Sequence, residues 1–169
     1  MKVLRILFKF PCRGRKDMFF ESLDSLNNNI RDRNNYFISL TLDTDDTVLN
    51  TPEVIEKIKH YPNVGIEWGL SDSKVHAFNR SMPDYDFDVI IAWSQDMTLT
   101  MYGADDIIRD YMLQIGNKRE DFDFLFHIPE IDSMEHLNVL YIATKDYYNR
   151  FGYIYHPSYL SLWCDNETF

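Results

Sequence analysis

From Val3 to about Gln114 the hydrophobic positions alternate between two spacings: short runs of nearly continuous apolar and β-branched residues, and longer stretches in which apolar residues return every three or four positions. That alternation predicts right-handed βαβ units on a mostly parallel sheet flanked by helices, an α/β fold of the Rossmann-like kind. Val3 to Phe10 reads as the first strand. Phe19, Leu23, Leu26 and Ile30 then share one helical face, and the strand Tyr36 to Leu42 runs into the acidic turn Asp43-Thr-Asp-Asp46. Thr51 suits an N-cap with Pro52 at the first helical position, and Val54, Ile55 and Ile58 supply an apolar face up to Tyr61. Val64 to Trp68 predicts a third strand, and about Ser73 to Met82 a helix that buries Val75, Phe78 and Met82.

The run Asp88-Val-Ile-Ile-Ala-Trp-Ser-Gln-Asp-Met97 reads as a buried strand that terminates in Asp96, and a helix follows with Ile107, Ile108, Tyr111, Met112 and Ile115 inward. The character of the chain then changes. Phe122 to His127 and Asn138 to Ala143 suggest strands, Lys145 to Phe151 a short helix, and the end is rich in Tyr. No linker, repeat or low-complexity tract separates these portions. The expectation is one domain over residues 1–169, with a ligand-binding portion over about 1–115 and a later section over about 116–169 that closes over the ligand.

Length and composition agree with a single core: 169 residues, 45% hydrophobic and 15% aromatic, with only 6 Gly and 6 Pro, exclude disordered and fibrous classes. A net charge of -10 with a pI near 4.8 argues against a surface that tracks duplex nucleic acid, so no nucleic-acid partner is expected. Arg13, Arg15 and Lys16 nonetheless form a local basic knot, readable as a solvated loop or as a site for a compact anion such as a nucleotide diphosphate. Cys12 and Cys164 are too few and too separated for a zinc cluster or a disulfide scaffold, and free thiols suit a reducing cytoplasm. The N-terminal run superficially resembles a signal sequence, but Arg5 and Lys9 interrupt it and no small-residue cleavage site follows. No apolar stretch approaches the roughly 18 residues that a membrane span needs.

Ligands of open α/β sheets collect outside the carboxyl ends of the strands, so acidic strand ends are the first candidates for chemistry. Three such places stand out: the Asp43/Asp45 turn, Asp96, and the segment Asp165-Asn-Glu167. On residue type alone the Asp43–Asp46 cluster reads more plainly as a polar turn approaching a helix. A lone Asp96 is sufficient for Mg²⁺ or a similar cation, which commonly takes one or two protein carboxylates and completes its shell with substrate phosphates and water; the plainer alternative is a cap or salt-bridge partner. The rings of Tyr147 to Tyr159 offer flat amphipathic faces for a ligand or for a core, and His156 before Pro157 suits either a polar site group or a turn. No Gly-rich phosphate loop, Gly-x-Ser-x-Gly elbow, His-Glu-x-x-His or cysteine-nucleophile signature is present.

Five segments, read together and in order, carry a resemblance. They are Phe10-Pro-Cys-Arg-Gly-Arg15, Asp43-Thr-Asp45, Lys74-Val-His-Ala-Phe-Asn79, Trp93-Ser-Gln-Asp-Met97, and Tyr155-His-Pro-Ser-Tyr-Leu-Ser-Leu-Trp-Cys-Asp-Asn-Glu167. In this combination the chain resembles the GT-A glycosyltransferases, more narrowly the small family-two-like members encoded by bacteria and phages. The resemblance covers nearly the whole chain, and it reverses the plainer reading of the acidic turn.

The resemblance implies a hexosyltransferase-like, inverting transfer from a nucleotide sugar, a UDP-sugar by expectation, to the hydroxyl of a carbohydrate or other acceptor. Pro11, Arg13, Arg15, Asp43 and Asp45 would hold base and ribose. Lys74 and Asn79 match a Lys-x-x-Ala-x-Asn helix that borders the donor, Asp96 matches the last acid of the Asp-x-Asp metal motif for Mn²⁺ or Mg²⁺, and Asp165 matches the catalytic base. His156, Trp163 and Glu167 are candidate acceptor-side or accessory residues. There are two departures: Ser94 stands at the motif's first acid, and no later histidine follows Asp165 within these residues. Two other readings stay open, a catalytically silent nucleotide-sugar-binding module of a larger assembly and a sugar nucleotidyltransferase. A homo-oligomer is compatible with either.

Overall fold

The computed structural model describes residues 3–119, 121–126 and 140–161. Along the chain run β1 (Ile6–Cys12), α1 (Lys16–Asn29), β2 (Tyr36–Asp43), α2 (Pro52–Ile58), β3 (Val64–Gly69), α3 (Lys74–Asn79), β4 (Val89–Ala92), α4 (Ala104–Lys118), β5 (Leu125–Phe126), β6 (Ile142–Thr144) and α5 (Lys145–Phe151). The six strands form one sheet in the order β3-β2-β1-β4-β6-β5. β1, β2, β3 and β4 run parallel to one another, whereas β6 runs antiparallel to both β4 and β5.

Side chains alternate across this sheet and divide the core in two. One face of β1 and β2, with Ile6, Phe8, Phe10, Ile38 and Leu40, packs on Phe19, Leu23 and Leu26 of α1, Val54 and Ile58 of α2, and Met112 of α4. The other face, with Leu7, Ile90, Ala92 and Ala143, packs on Val75 and Phe78 of α3 and on Ile154 and Tyr155. The central strands are buried on both faces, which is why they read as continuous apolar runs. Thr51 caps α2 by accepting from the Val54 N–H at 3.3 Å, with Pro52 opening the helix as expected.

Several elements differ from their sequence expectations. The strand expected to carry Asp96 ends at Ala92; Trp93 N–H still bonds to Lys9 O at 2.9 Å, and a turn closed by Met97 N–H to Ser94 O then takes over. α3 stops at Asn79 because Ser81 adopts a left-handed backbone (φ 54°) and Pro83 cannot continue a helix, so Met82 lies beyond it. The two later strands are short. Leu125–Phe126 replaces the strand expected from Phe122, and Ile142–Thr144 the one expected to Ala143; His127 and Asn138 lie outside the described residues.

α4 shows the largest departure. Ile108 and Ile115 pack against the core, but Ile107 and Tyr111 are 46% and 53% exposed, and the buried positions are Asp105, Arg109 and Met112. An ion pair occupies the inward face because it terminates other elements: Arg109 donates to Leu4 O (2.8 Å) and Asn35 O (3.0 Å), while Asp105 accepts from the backbone N–H groups of Arg31 (2.9 Å) and Asp32 (3.0 Å). Burial pushes the Asp105 carboxyl up, yet those N–H groups and Arg109 outweigh it and hold it below its ordinary value. Its contribution is therefore present above the usual carboxylate range and is lost as pH falls through the depressed value.

Asp105→Ala strands the Arg109 charge and two backbone donors, and is expected to lower the unfolding free energy by about 3–5 kcal/mol. Ile107→Ser on the outer face is expected to change it by no more than about 0.5 kcal/mol. Urea denaturation of both variants measures the contrast, and similar losses would contradict this account of α4.

Candidate functional site

Strand order reverses at β1: the chain builds β2 and β3 on one side of it and β4 on the other. At such a reversal the loops leaving adjacent strands diverge and open a crevice at their carboxyl ends. A cavity of about 510 Å³ lies there, lined by Pro11 and Cys12 at the end of β1, Arg13 and Arg15 after it, Asp43 of β2, Ser71, Asp72 and Ser73 after β3, Lys74 and Ala77 of α3, and Ser94, Gln95 and Asp96 after β4. Six residues singled out from the sequence (Pro11, Arg13, Arg15, Asp43, Lys74 and Asp96) thus line the same cavity.

The β1 exit is shaped by Gly14 (φ 60°) and Arg15 (φ 43°), two successive left-handed residues. Glycine takes that conformation freely, but arginine does so at a cost of about 1–2 kcal/mol. The turn is held on two sides, by Gly14 N–H donating to Asp46 Oδ2 (2.7 Å) and by Arg13 N–H donating to Gln95 Oε1 (3.0 Å). α1 begins at the rim with no side-chain cap on its first N–H groups, so that end carries uncompensated donors. Cys12 is buried, and burial raises its thiol well above the ordinary value, which removes it as a nucleophile at neutral pH.

The three acids of the β2 turn have separate tasks. Asp46 is buried and structural: its Oδ1 accepts from Val48 and Leu49 N–H, while its Oδ2 holds Gly14. Asp45 is exposed and takes both terminal nitrogens of Arg13, at 2.7 and 3.1 Å. Asp43 is buried at the cavity and paired twice, through Oδ2 to Arg13 Nη1 (2.7 Å) and through Oδ1 to Arg80 Nη2 (3.0 Å). The bonds to Asp45 and Asp43 raise the Arg13 guanidinium, and the same contact lowers Asp45.

Across the cavity, Trp93 Nε1–H donates to Ser22 Oγ (2.9 Å) and Ser22 Oγ–H to Ser94 O (3.3 Å), tying the β4 exit to α1. Asp96 is exposed beyond that anchor. A bond from the Ser94 hydroxyl, against partial burial and helped by Lys74 and Arg15, holds its carboxyl below the ordinary value, so it is ionised at neutral pH. Ser94 and Asp96 offer hard oxygen donors of the kind that suit Mg²⁺ or Mn²⁺ when substrate phosphates complete the shell. Among the described residues no group of three His, Cys, Asp or Glu is gathered to hold a metal by itself.

Asn79 and His156 serve other contacts. Asn79 Oδ1 accepts from the N–H groups of Ile154 (2.9 Å) and Tyr155 (3.2 Å) while Nδ2 donates to Tyr155 O (2.6 Å), clamping the later segment onto α3. His156 accepts from Ser158 N–H and stands edge-on to Tyr153 and Tyr159. Trp163, Asp165 and Glu167, with Cys164, lie outside the described residues. The sequence reading did not single out Arg80, Gln95, Ser71 or Ser73. A cation directly after a short helix carries no motif, and the only sign of Arg80 is Gly69, where a Cβ would sit 2.3 Å from Arg80 Nη1.

Beneath the cavity the sheet face carries polar groups where the sequence suggests only core. Lys9 is fully buried, with Nζ donating to Ser81 O at 2.5 Å, and Ser39 and Thr41 are buried on neighbouring β2. Burial, opposed by Glu67 and reinforced by Arg80, brings the Lys9 ammonium down to about 8.

No family model matches this chain, and no curated protein does. Solved structures do match. S. aureus TarS 1–349 in complex with UDP aligns with a TM-score of 0.69 at 10% identity, over 98% of this chain and 54% of that one. The mannosyltransferase PcManGT from Pyrobaculum calidifontis, in complex with GDP-Man and Mn2+, aligns with a TM-score of 0.70 at 12% identity, over 99% of this chain and 51% of that one. The chain therefore spans about half the length of these neighbours. At such identities the likeness shows the fold alone, and that fold is the GT-A type of glycosyltransferases. No helix among the described residues is long and apolar enough to cross a membrane.

Lys9 gives the polar layer a titration test. Because its folded value lies below the ordinary 10.5, the cost of holding it charged is fully present below about pH 8 and fades as pH rises toward 10.5. Relative to Lys9→Met, the wild type is expected to gain roughly 2–3 kcal/mol between pH 8 and 10. Paired denaturation curves across that range measure it, and parallel curves would show that Lys9 does not titrate there.

Proposed function

We propose that this chain is a metal-assisted, inverting glycosyltransferase that moves a sugar from a nucleotide sugar, a UDP-sugar, to an acceptor hydroxyl. The observation that carries the reading is the cavity at the β1/β4 reversal, where Arg13, Arg15 and Lys74 face Asp43 and Asp96 in one space of about 510 Å³. The cations suit a diphosphate, and the carboxylates interleaved with them suit a ribose, a base N–H or a divalent ion. Two neighbours of the same fold hold such molecules, UDP in TarS and GDP-Man with Mn2+ in PcManGT.

In this mechanism Pro11, Arg13, Asp43 and Asp45 hold base and ribose. Arg15 and Lys74 lie along the diphosphate, and Asn79 supports α3 from behind by clamping the segment at Ile154 and Tyr155 onto it. Asp96, assisted by the Ser94 hydroxyl, would hold Mn²⁺ or Mg²⁺, which when bound neutralises charge on the leaving diphosphate. Asp165 accepts the proton of the acceptor hydroxyl as its oxygen forms the bond to the anomeric carbon and the bond to the diphosphate oxygen breaks. General-base assistance of this sort is worth about 10²–10⁴-fold in rate. His156, Trp163 and Glu167 are assigned to the acceptor side, in the section beyond residue 115.

A second reading, binding without turnover, is favoured by one observation: Ser94 stands where the resemblance implies a carboxylate, so among the described residues the turn after β4 brings one carboxylate, Asp96, to the cavity. Calorimetry with UDP, with and without Mn²⁺, followed by release of UDP from UDP-sugars, separates the two. The transferase reading expects Asp96→Ala to weaken Mn²⁺-dependent UDP binding by about 10-fold or more. It expects Asp165→Asn to abolish turnover and leave UDP binding within about 2-fold of wild type. Equal loss of binding in both variants contradicts these roles, and tight binding with no turnover by the wild type supports the silent module.

A further inference from the structure

Asp43 is shared between two guanidinium groups of different standing. Arg13 is 54% exposed in its side chain and divides its donors between Asp43 and the solvent-facing Asp45. Arg80 is 9% exposed and held within the fold, Nε donating to Ser71 Oγ (2.7 Å) and Nη2 to both Leu42 O (2.9 Å) and Asp43 Oδ1 (3.0 Å), while Nη1 is buried with no hydrogen-bond partner among the described residues. It thereby joins the ends of β2 and β3 to the first residue past α3. Gly69 makes room for it, and Thr44 N–H to Gly69 O at 2.8 Å closes the same corner.

These placements predict unequal behaviour when a ligand arrives. An exposed ion pair is worth little and exchanges readily, whereas removing one partner of a buried, hydrogen-bonded pair is strongly opposed. A nucleoside that competes for Asp43 therefore displaces Arg13 from Oδ2, while Arg80 keeps Oδ1 fixed and the other oxygen turned to the cavity.

We propose that Arg80 is a positioning residue for nucleotide binding, acting through Asp43 by fixing the direction of its carboxylate. This rests on the nucleotide-sugar reading of the cavity. It goes beyond that reading by assigning a role to a residue that lines no part of it.

The test is a double-mutant cycle on the full chain, with UDP and Mn²⁺ as the calorimetric probe. Arg80→Met and Asp43→Asn are each expected to weaken UDP binding by about 10- to 100-fold, as when the outer partner of a ligating side chain is removed. The double variant is expected to bind no more weakly than the weaker single variant, because Arg80 has nothing left to position. Arg80→Lys, which keeps the charge but loses the planar fork, should recover only part of the affinity. If Arg80→Met does not fold by circular dichroism, Arg80→Lys takes its place in the cycle. A purely structural role predicts losses that multiply in the double variant, and that result overturns the proposal. So does an Arg80 variant that binds UDP like wild type, which would leave the nucleotide reading standing. Failure of the wild type to bind UDP overturns the nucleotide reading and the positioning role together.

Discussion

β1 is hydrogen-bonded to β2 on one side and to β4 on the other, with all three strands parallel, and this pairing decides where polar chemistry can collect. Parallel strands send all their exits to the same edge. The reversal of chain direction across β1 prevents those exits from packing tightly over one another. Into the resulting gap the chain delivers a basic turn, an acidic turn, a polar turn ahead of α3 and the Ser94–Asp96 turn. None of these segments is near another in sequence; Arg13 N–H reaches Gln95 across 82 residues because the sheet places their strands side by side.

Two guanidinium groups, Arg109 buried and Arg80 largely so, brace opposite ends of this arrangement. Arg109 serves the amino-terminal side, where it meets the carbonyls of Leu4 and Asn35 and the carboxylate of Asp105. Arg80 serves the carboxyl-terminal side, where it meets the carbonyl of Leu42 and the carboxylate of Asp43. Each side chain donates to backbone carbonyls at the strand ends, and each has a carboxylate to offset its charge, the condition under which burial of arginine is tolerated. The two ends differ in that Asp43, unlike Asp105, also lines the cavity at the β1/β4 reversal.

Much of the fold was legible because it follows from local periodicity. The strands at Tyr36–Asp43 and Val64–Gly69, the Thr51–Pro52 start of α2 and the helix Lys145–Phe151 all follow from spacing and capping chemistry. Periodicity failed where a buried face carries charge. In α4 the rule that apolar residues face inward selects Ile107 and Tyr111, but the protein turns Asp105 and Arg109 inward to close off backbone groups of distant segments. It failed again at Asp96, which the apolar run predicts at the end of a strand and which a turn after Trp93 sets free of the ladder.

The candidate site divides along the same line. Residue type and order along the chain determined that acidic and basic groups would stand at the ends of Rossmann-like strands, because strand ends follow from hydrophobic patterning and ligands collect where parallel strands end. Only the tertiary structure decided how the acids divide their work: Asp46 holding the turn, Asp45 meeting Arg13 at the surface, and Asp43 set between Arg13 and Arg80. Three carboxylates within four residues look alike in a sequence; what separates them is which distant donor each one meets, and pairing across the sheet alone settles that.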